Sequence, residues 1–286
     1  MPASGLYLVA TPIGNLADIS LRALDLLSKA DVIACEDTRV TRRLLSAHGV
    51  HARRGARLTT YHEHNAERVR PWLIEQMKYG KVVVLVADAG TPLISDPGYK
   101  LVEAATAAGQ TVTAVPGASA ALAALLVSGL PSDRFFFAGF LPVKTSARRK
   151  FLAELAPVPA TLIVFESARR LAASLADMAA TLGPRPAAVA RELTKMHEEV
   201  RRDPLDILAA HYRAAGSPRG EVVIVIGPPA EKTAQIDTDD LDARLRQALA
   251  KTSLRDAVAM VTAATGLSRQ RVYARALELR HRNEAS

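Results

Sequence analysis

Residues 82–98 read Val82-Val83-Val84-Leu85-Val86-Ala87-Asp88-Ala89-Gly90-Thr91-Pro92-Leu93-Ile94-Ser95-Asp96-Pro97-Gly98, an apolar, β-branched run that passes straight into a polar loop rich in glycine and proline. The run reads as a strand, and Asp88, the first polar residue after it, stands at the strand's tip. Gly90 and Gly98 let backbone approach a ligand closely. The loop therefore offers backbone donors and acceptors plus one anion, a cradle for a ligand carrying an ammonium or sulfonium charge. The same residues also have a structural reading, with Asp88 to Pro92 as a tight turn, Asp96 as a helix cap and Pro97 at the first helical position. The two readings are compatible.

Outward from this segment the pattern repeats. Strand candidates Tyr7–Ala10, Asp31–Cys35, Leu58–Tyr61, Val82–Ala87 and Thr111–Val115 form a first set, and Arg134–Ala138, Thr161–Phe165, Ala187–Arg191 and Glu221–Ile226 a second. Helical periodicity covers Ser20–Ala30, Arg39–His48, Asn65–Tyr79, Pro97–Ala108, Ser119–Ser128, Lys144–Leu155 and Ala168–Leu182, with Ser20 and Asn65 as N-caps and Gly49, Gly80, Gly109 and Gly183 after the last turns. Such alternation predicts an α/β protein with a largely parallel sheet. The first strand set ends near Pro116-Gly117. A junction there gives an N-terminal α/β domain over 1–116 and a C-terminal α/β domain over 117–227, facing each other across a cleft. Residues 228–238 read as a polar linker. Residues 239–286 form a small helical extension, with helices over Asp240–Ala250, Ser253–Thr265 and Ser268–Arg282.

Composition narrows the class. Over 286 residues, 49% are hydrophobic and 23% charged, the proportions of a folded globular chain. The longest nearly apolar run, Ala118 to Leu130, carries Ser119, Ser128 and Gly129 and falls short of the ~20 residues a membrane span needs. The N-terminus shows no basic leader, apolar stretch and cleavage site in succession, so a cytoplasmic location is expected. The single cysteine, Cys35, excludes an intramolecular disulfide and a Cys-based zinc site, and reads as a small buried hydrophobe. The 37 basic against 29 acidic side chains leave a charge of +8. That balance suits a polyanionic partner, although a basic composition alone identifies none.

Several common signatures are absent. No two of the 16 glycines are spaced as Gly-x-Gly, which removes the dinucleotide fingerprint, and no phosphate loop, zinc-protease signature or nucleophile elbow occurs. The distinctive segments instead follow strand ends: Thr11 to Asp18, Cys35-Glu36-Asp37-Thr38-Arg39, Tyr61-His62-Glu63-His64-Asn65, Asp88 to Gly98, and Pro116-Gly117-Ala118-Ser119-Ala120. At one edge of one sheet they converge on a single rim.

These strings carry a resemblance. Leu8-Val9-Ala10-Thr11-Pro12-Ile13-Gly14-Asn15-Leu16, Cys35 to Arg39, His62 to Asn65, Asp88 to Pro92 with Ile94 to Gly98, Gly139-Phe140-Leu141-Pro142 and Arg191-Glu192-Leu193-Thr194-Lys195 resemble the ribosomal RNA small subunit methyltransferase I family. That family is a branch of the tetrapyrrole-methylase-like enzymes. The likeness runs over residues 5–227, and the helical tail is similar to the family's own extension. It implies S-adenosylmethionine-dependent 2′-O-methylation of a cytidine ribose in the decoding region of 16S rRNA within the small ribosomal subunit. It further implies a homodimer of two-domain chains, with the methyl donor in the cleft and neither a metal nor a membrane involved.

Position by position, the resemblance places the donor against Pro12, Asp88, Gly90, Thr91, Ile94, Ala118, Ser119 and Ala120, and, in the second domain, Phe165, Glu166 and Leu193. The sequence departs from the family pattern twice. Ala118 replaces the proline of Pro-Gly-Pro-Ser, and Glu166-Ser167-Ala168-Arg169-Arg170 replaces Glu-Ser-Pro-His-Arg.

A ribose hydroxyl is a weak acid, so methyl transfer to it calls for a general base or a cation that stabilises the alkoxide. Glu36, Asp37, His62, Glu63 and Lys195 are the catalytic candidates, with His64 and Asp96 on the same rim. Each also reads structurally, as a cap, a salt bridge or a solvated loop residue. Arg39, Lys144, Arg148, Arg149, Lys150 and Arg191 are candidates for RNA phosphates, as are Arg269, Arg271, Arg275, Arg280 and Arg282 in the tail. In that tail, Val272, Ala276 and Leu279 read as a packing face. Two other functions stay open at this stage: a tetrapyrrole (precorrin or uroporphyrinogen) C-methyltransferase, and a non-catalytic RNA-binding module.

Overall fold

A computed structural model describes residues 2–94, 98–230, 238–267 and 269–284. The Asp96 cap, its neighbour Pro97 and most of the 228–238 linker lie outside the described residues. The chain falls into two compact units, Met1–Pro228 and Pro229–Ser286.

The first half of the larger unit is built on β1 (Gly5–Val9), β2 (Val32–Cys35), β3 (Arg57–Thr60), β4 (Val82–Val86) and β5 (Val112–Val115). They form one all-parallel sheet in the order β3-β2-β4-β1-β5, with Leu8 opposite Leu85 and Ala34 also opposite Leu85 on the other side. Helices cover both faces, so β4 is buried along its whole length. On one face α1 (Leu21–Lys29) seats Ala23, Leu26 and Leu27 against Ile33, Val84 and Val86. On the other, α3 (Ala66–Lys78) and α4 (Tyr99–Ala107) seat Leu73, Met77, Leu101 and Ala105 against Leu6, Val83 and Leu85. Each such large apolar side chain contributes roughly 1.5–3 kcal/mol when fully buried. Cys35 is buried in β2, and burial pushes its thiol pKa up, as a packed hydrophobe's would be.

The second half departs from the parallel expectation. Its strands are β6 (Phe135–Phe140), β7 (Thr161–Ser167), β8 (Pro186–Arg191), β9 (Glu199–Pro204) and β10 (Glu221–Ile226), in the order β6-β7-β10-β8-β9. Only β6 and β7 run parallel; β7–β10, β10–β8 and β8–β9 are antiparallel. Strand β9 and helix α8 (Leu205–Ala215) were not expected from the sequence. One face carries α6 (Thr145–Leu155), α7 (Leu171–Leu182) and α8 on a core of Leu152, Leu171, Leu175, Met178 and Leu208. The other carries α5 (Ala120–Ser128), whose Ala121, Ala124 and Leu125 meet Ile163, Val223 and Val225. Arg202 of β9 donates to the Val127 carbonyl, placing a cation at the C-terminal end of α5 where the helix dipole favours it.

Helix caps follow the sequence in one case and not in another. Ser20 Oγ accepts the Ala23 amide at the start of α1. Asn65 makes no side-chain cap at α3; its Oδ1 accepts the His62 amide and its Nδ2 donates to the Thr60 carbonyl, closing the loop before the helix.

The smaller unit holds α9 (Thr238–Leu249), α10 (Leu254–Thr265) and α11 (Arg269–Glu284). Val272, Ala276 and Leu279 pack on Leu241, Leu245, Val258 and Val261, as their spacing predicts. Arg275 donates to both carboxylate oxygens of the buried Asp242, at 2.7 and 2.8 Å, and also pairs with Glu278. These pairs fix Arg275 within the unit, where it serves as a structural counter-ion.

Candidate active site

The C-terminal ends of the first sheet's strands are laced into one rim. Thr11 and Gly90 exchange both backbone hydrogen bonds, at 2.9 and 3.1 Å, and Thr11 Oγ1 donates to the Ala87 carbonyl. The Asp37 amide donates to Asp88 Oδ1 at 3.0 Å, the Tyr61 amide to the Cys35 carbonyl at 2.7 Å, and Thr91 Oγ1 to the Ala118 carbonyl at 3.0 Å. Gly90 sits at φ +80°, where a side chain is strained, and a Cβ there would press within 3.3 Å of the Ile13 methyl.

The facing wall comes from the second half. The Asn15 amide donates to Thr194 Oγ1 at 3.0 Å, and Gly14 lies so close to Lys195 and Thr194 that a Cβ would fall 2.5 Å from Lys195 Cγ. Leu93, Glu192 and Thr194 are non-glycine residues at positive φ, each costing about 1–3 kcal/mol, and all lie in these rim loops. At Glu192 the strain is held by bonds, since its Oε1 accepts from Lys195 Nζ at 2.8 Å and from the Glu221 amide at 3.0 Å. Phe165, at the β7 tip, meets Phe137 and Phe140 edge to face.

Between these walls lies a cavity of about 740 Å³. Of the residues expected to touch a methyl donor, Gly90, Thr91, Ile94, Ser119, Ala120, Phe165 and Glu166 line it. Pro12, Asp88, Ala118 and Leu193 do not. Pro12 and Leu193 are buried behind the wall, Asp88 braces the Asp37 loop and Ala118 receives Thr91. Glu166 presents little acceptor capacity to a ligand. Its side chain is fully buried, with Oε1 receiving Arg170 Nε and the Ser167 amide and Oε2 receiving Ser174 Oγ at 2.5 Å.

The catalytic candidates separate by their partners. Asp37 caps α2 (Thr38–Ala47) and takes both the Arg39 side chain and its amide, which hold the Asp37 carboxyl at about 2. Burial disfavours the charge on Lys195, but the carboxylates of Glu192 and Glu221 outweigh it and raise the ammonium above its ordinary value. Glu36 and Glu63 are exposed, and neither carboxylate has a partner among the described residues. His62 Nδ1 is buried without a hydrogen-bond partner, and its ring lies edge to face with His64.

The phosphate-binding candidates divide similarly. Arg148 is a correction: only 4% exposed, it is a buried counter-ion to Asp177 rather than a surface cation, and it also donates to the Pro142 and Val143 carbonyls. Arg149 shares Asp177 from the surface, and Lys144 and Lys150 are exposed. Arg39 is mostly exposed but tied to Asp37. Arg191 is half-buried, bound to Glu199, and donates Nη1 to the Arg219 carbonyl at 3.1 Å.

The sequence reading missed Phe140, Arg169, Pro218, Arg219, Gly220 and Glu221, all of which line the cavity. Residues 218–221 reach it because β10 is antiparallel to β7, which brings the start of β10 to the tip of β7; Gly216-Ser217-Pro218 was the visible turn signal.

Residues 5–209 match the family of Tetrapyrrole (Corrin/Porphyrin) Methylases, and residues 235–280 the RsmI C-terminal HTH domain. Ribosomal RNA small subunit methyltransferase I of Mesorhizobium japonicum is 52% identical over 276 residues, covering 96% of this chain and 92% of the relative. The protein of the same name from Erythrobacter litoralis is 51% identical over 276 residues, 96% of this chain and 95% of its own. Among solved structures, uroporphyrin-III C-methyltransferase from Thermus thermophilus, complexed with S-adenyl homocysteine, is similar at a TM-score of 0.53 with 23% identity, covering 78% of this chain and 97% of that one. The match over most of the chain, its helical end included, shows that this chain belongs to the ribosomal RNA small subunit methyltransferase I family, within the tetrapyrrole methylases.

Proposed function

We propose that this protein transfers a methyl group from S-adenosylmethionine to the 2′-hydroxyl of a cytidine in the decoding region of 16S rRNA. The coarser activity, S-adenosylmethionine-dependent methylation of small-subunit rRNA, is supported by relatives sharing about half their residues along nearly the whole chain. The observation that carries the reading is the cavity at the meeting of the two sheets' loops.

The residues present fit the methyl donor. A volume of about 740 Å³ falls within the roughly 300–1,000 Å³ of small-molecule sites. Gly90 keeps one wall free of a side chain, and Phe140 and Phe165 offer apolar ring surface on the other. When bound, the donor supplies an electrophilic methyl carbon with a neutral thioether as leaving group. Gly90, Thr91 and Ile94 would hold it from the first half and Ser119, Ala120 and Phe165 from the second, with Glu166 lining the floor through its bonded carboxylate and Pro12, Asp88, Ala118 and Leu193 fixing those loops in place.

The protein's own groups must hold the ribose oxygen in line at about 3 Å and accept its proton. Lys195, kept as an ammonium by two carboxylates, serves to stabilise a developing alkoxide rather than to take the proton. Asp37, at about 2, is too weak a base. Proton acceptance then falls to Glu36, His62 or Glu63, whose side-chain acceptors have no partner among the described residues. The domains at 1–116 and 117–227, a homodimer and a cytoplasmic location complete the proposal. Among the described residues no helix is long and apolar enough to cross a membrane, and no group of three or more His, Cys, Asp or Glu could hold a metal ion.

Incubating the protein and methyl-labelled S-adenosylmethionine with small ribosomal subunits in one arm and uroporphyrinogen III in the other tests the reading. Label is expected in rRNA alone. Label in the tetrapyrrole with none in RNA would overturn it.

A further inference from the structure

Arg169 and Arg219 line the same cavity, and both are exposed. Neither guanidinium has a carboxylate or hydrogen-bond partner among the described residues, in contrast to Arg148, Arg170 and Arg191. They also sit at the same end of the β7–β10 pair. Ser167, the last residue of β7, is registered opposite Glu221, the first of β10. Arg169 follows in the single 3-10 turn Ala168–Arg170 and Arg219 precedes β10 by two residues, so both belong to the turns at that end of the strand pair. Ser217 Oγ donates to the Arg169 carbonyl at 3.3 Å, joining the two turns, and Arg191 Nη1 holds the Arg219 carbonyl. The acids nearby are engaged elsewhere, Glu166 with Arg170 and Ser174, Glu221 with Lys195. Two unpaired like charges lining one cavity repel each other, and an anion between them offsets that repulsion.

We infer that Arg169 and Arg219 form a two-pronged clamp for a phosphodiester of the RNA strand that enters the cavity. The inference rests on the rRNA reading above and deepens it. The guanidinium forks match phosphate oxygens bidentately, and the clamp positions the strand without reading its sequence. Arg191, expected to touch phosphate itself, acts instead as the positioning residue for the Arg219 turn.

The test is filter retention of small-subunit rRNA by wild type, Arg169→Ala, Arg219→Ala and the double variant, across a series of salt concentrations. Calorimetry with S-adenosylhomocysteine runs in parallel. Each single change is expected to weaken RNA retention roughly tenfold and to lower the salt slope by about 1, with S-adenosylhomocysteine affinity within about twofold of wild type. Arg169→Lys should keep the slope but recover only part of the affinity. Unchanged RNA affinity and slope in the double variant overturns the clamp. So does a loss confined to S-adenosylhomocysteine, which would assign the arginines to the donor's carboxylate. Retention needs no methyl transfer, so a wild type that binds RNA through both arginines yet transfers no label overturns the transferase reading alone.

Discussion

The Asp37 backbone amide donates to the Asp88 carboxylate at 3.0 Å, so the loops after β2 and β4 are locked together by the one anion the β4 loop was expected to present. Asp88→Asn keeps an acceptor for that amide but removes the charge. Its melting temperature should stay within about 2 °C of wild type, while calorimetry shows S-adenosylhomocysteine binding about tenfold weaker. Equal affinity in the two proteins would mean that the charge serves the loop alone. Asp88→Ala leaves the amide unsatisfied as well and should lose about 1–2 kcal/mol of stability.

Glu166 is predicted to be a structural anchor beneath the donor. Removing its carboxylate leaves Ser174 Oγ and the Arg170 guanidinium without their acceptor at a site closed to water. Glu166→Ala should cost about 2–4 kcal/mol in urea denaturation, discounted because the Arg170 side chain is 24% exposed. Ser174→Ala should cost about 1 kcal/mol. A Glu166→Ala protein of wild-type stability would return Glu166 to the binding surface.

The first sheet was legible because Val82 to Val86 and its neighbours alternate with helices, a pattern that a parallel sheet covered on both faces leaves in the chain. Strand direction leaves no such trace. Ala187–Arg191 and Glu221–Ile226 were found as strands, but periodicity does not say that they run antiparallel, and so the arrival of Arg219 and Gly220 at the cavity was not readable. Strand β9 was missed for another reason. Arg201-Arg202-Asp203 reads as solvated charge, and it becomes a strand only by pairing with β8 at the sheet edge, where charged side chains are tolerated. The rim residues Gly90, Thr91 and Ser119 were legible because loops after parallel strands converge. The partners of Arg148 and Glu166 were not, because Asp177 and Ser174 come from a helix face whose orientation only packing decides.

Arg148 and Arg149 are adjacent in sequence and should differ sharply. Arg148→Ala strands a buried Asp177 and should cost about 3–5 kcal/mol in denaturant unfolding. Arg149→Ala, with its side chain 60% exposed, should cost under about 1 kcal/mol. Comparable losses from both would show that Asp177 is satisfied chiefly from the surface.

Asp37 gives a signed pH dependence. Its carboxyl titrates at about 2 when folded and at 3.8 in the ordinary state, because the Arg39 side chain and amide hold the anion. The stability it contributes is complete above about pH 4 and declines as pH falls through about 2. The gap in unfolding free energy between wild type and Asp37→Asn should therefore be constant at neutral pH and close over that acid window. Methyl-transfer rates of the two proteins should have the same inflections between about pH 5 and 9, and an inflection lost with Asp37 would restore it as the base.

Mass-spectrometric mapping of ribose methylation in 16S rRNA, from cells with the gene, without it, and with a Gly90→Val version that fills the cavity wall, tests the central claim most directly. The account predicts one 2′-O-methylcytidine in the decoding region that is present with the wild-type gene and absent from the other two. An identical methylation map in all three, or a mark lost with the gene but retained by Gly90→Val, would contradict it.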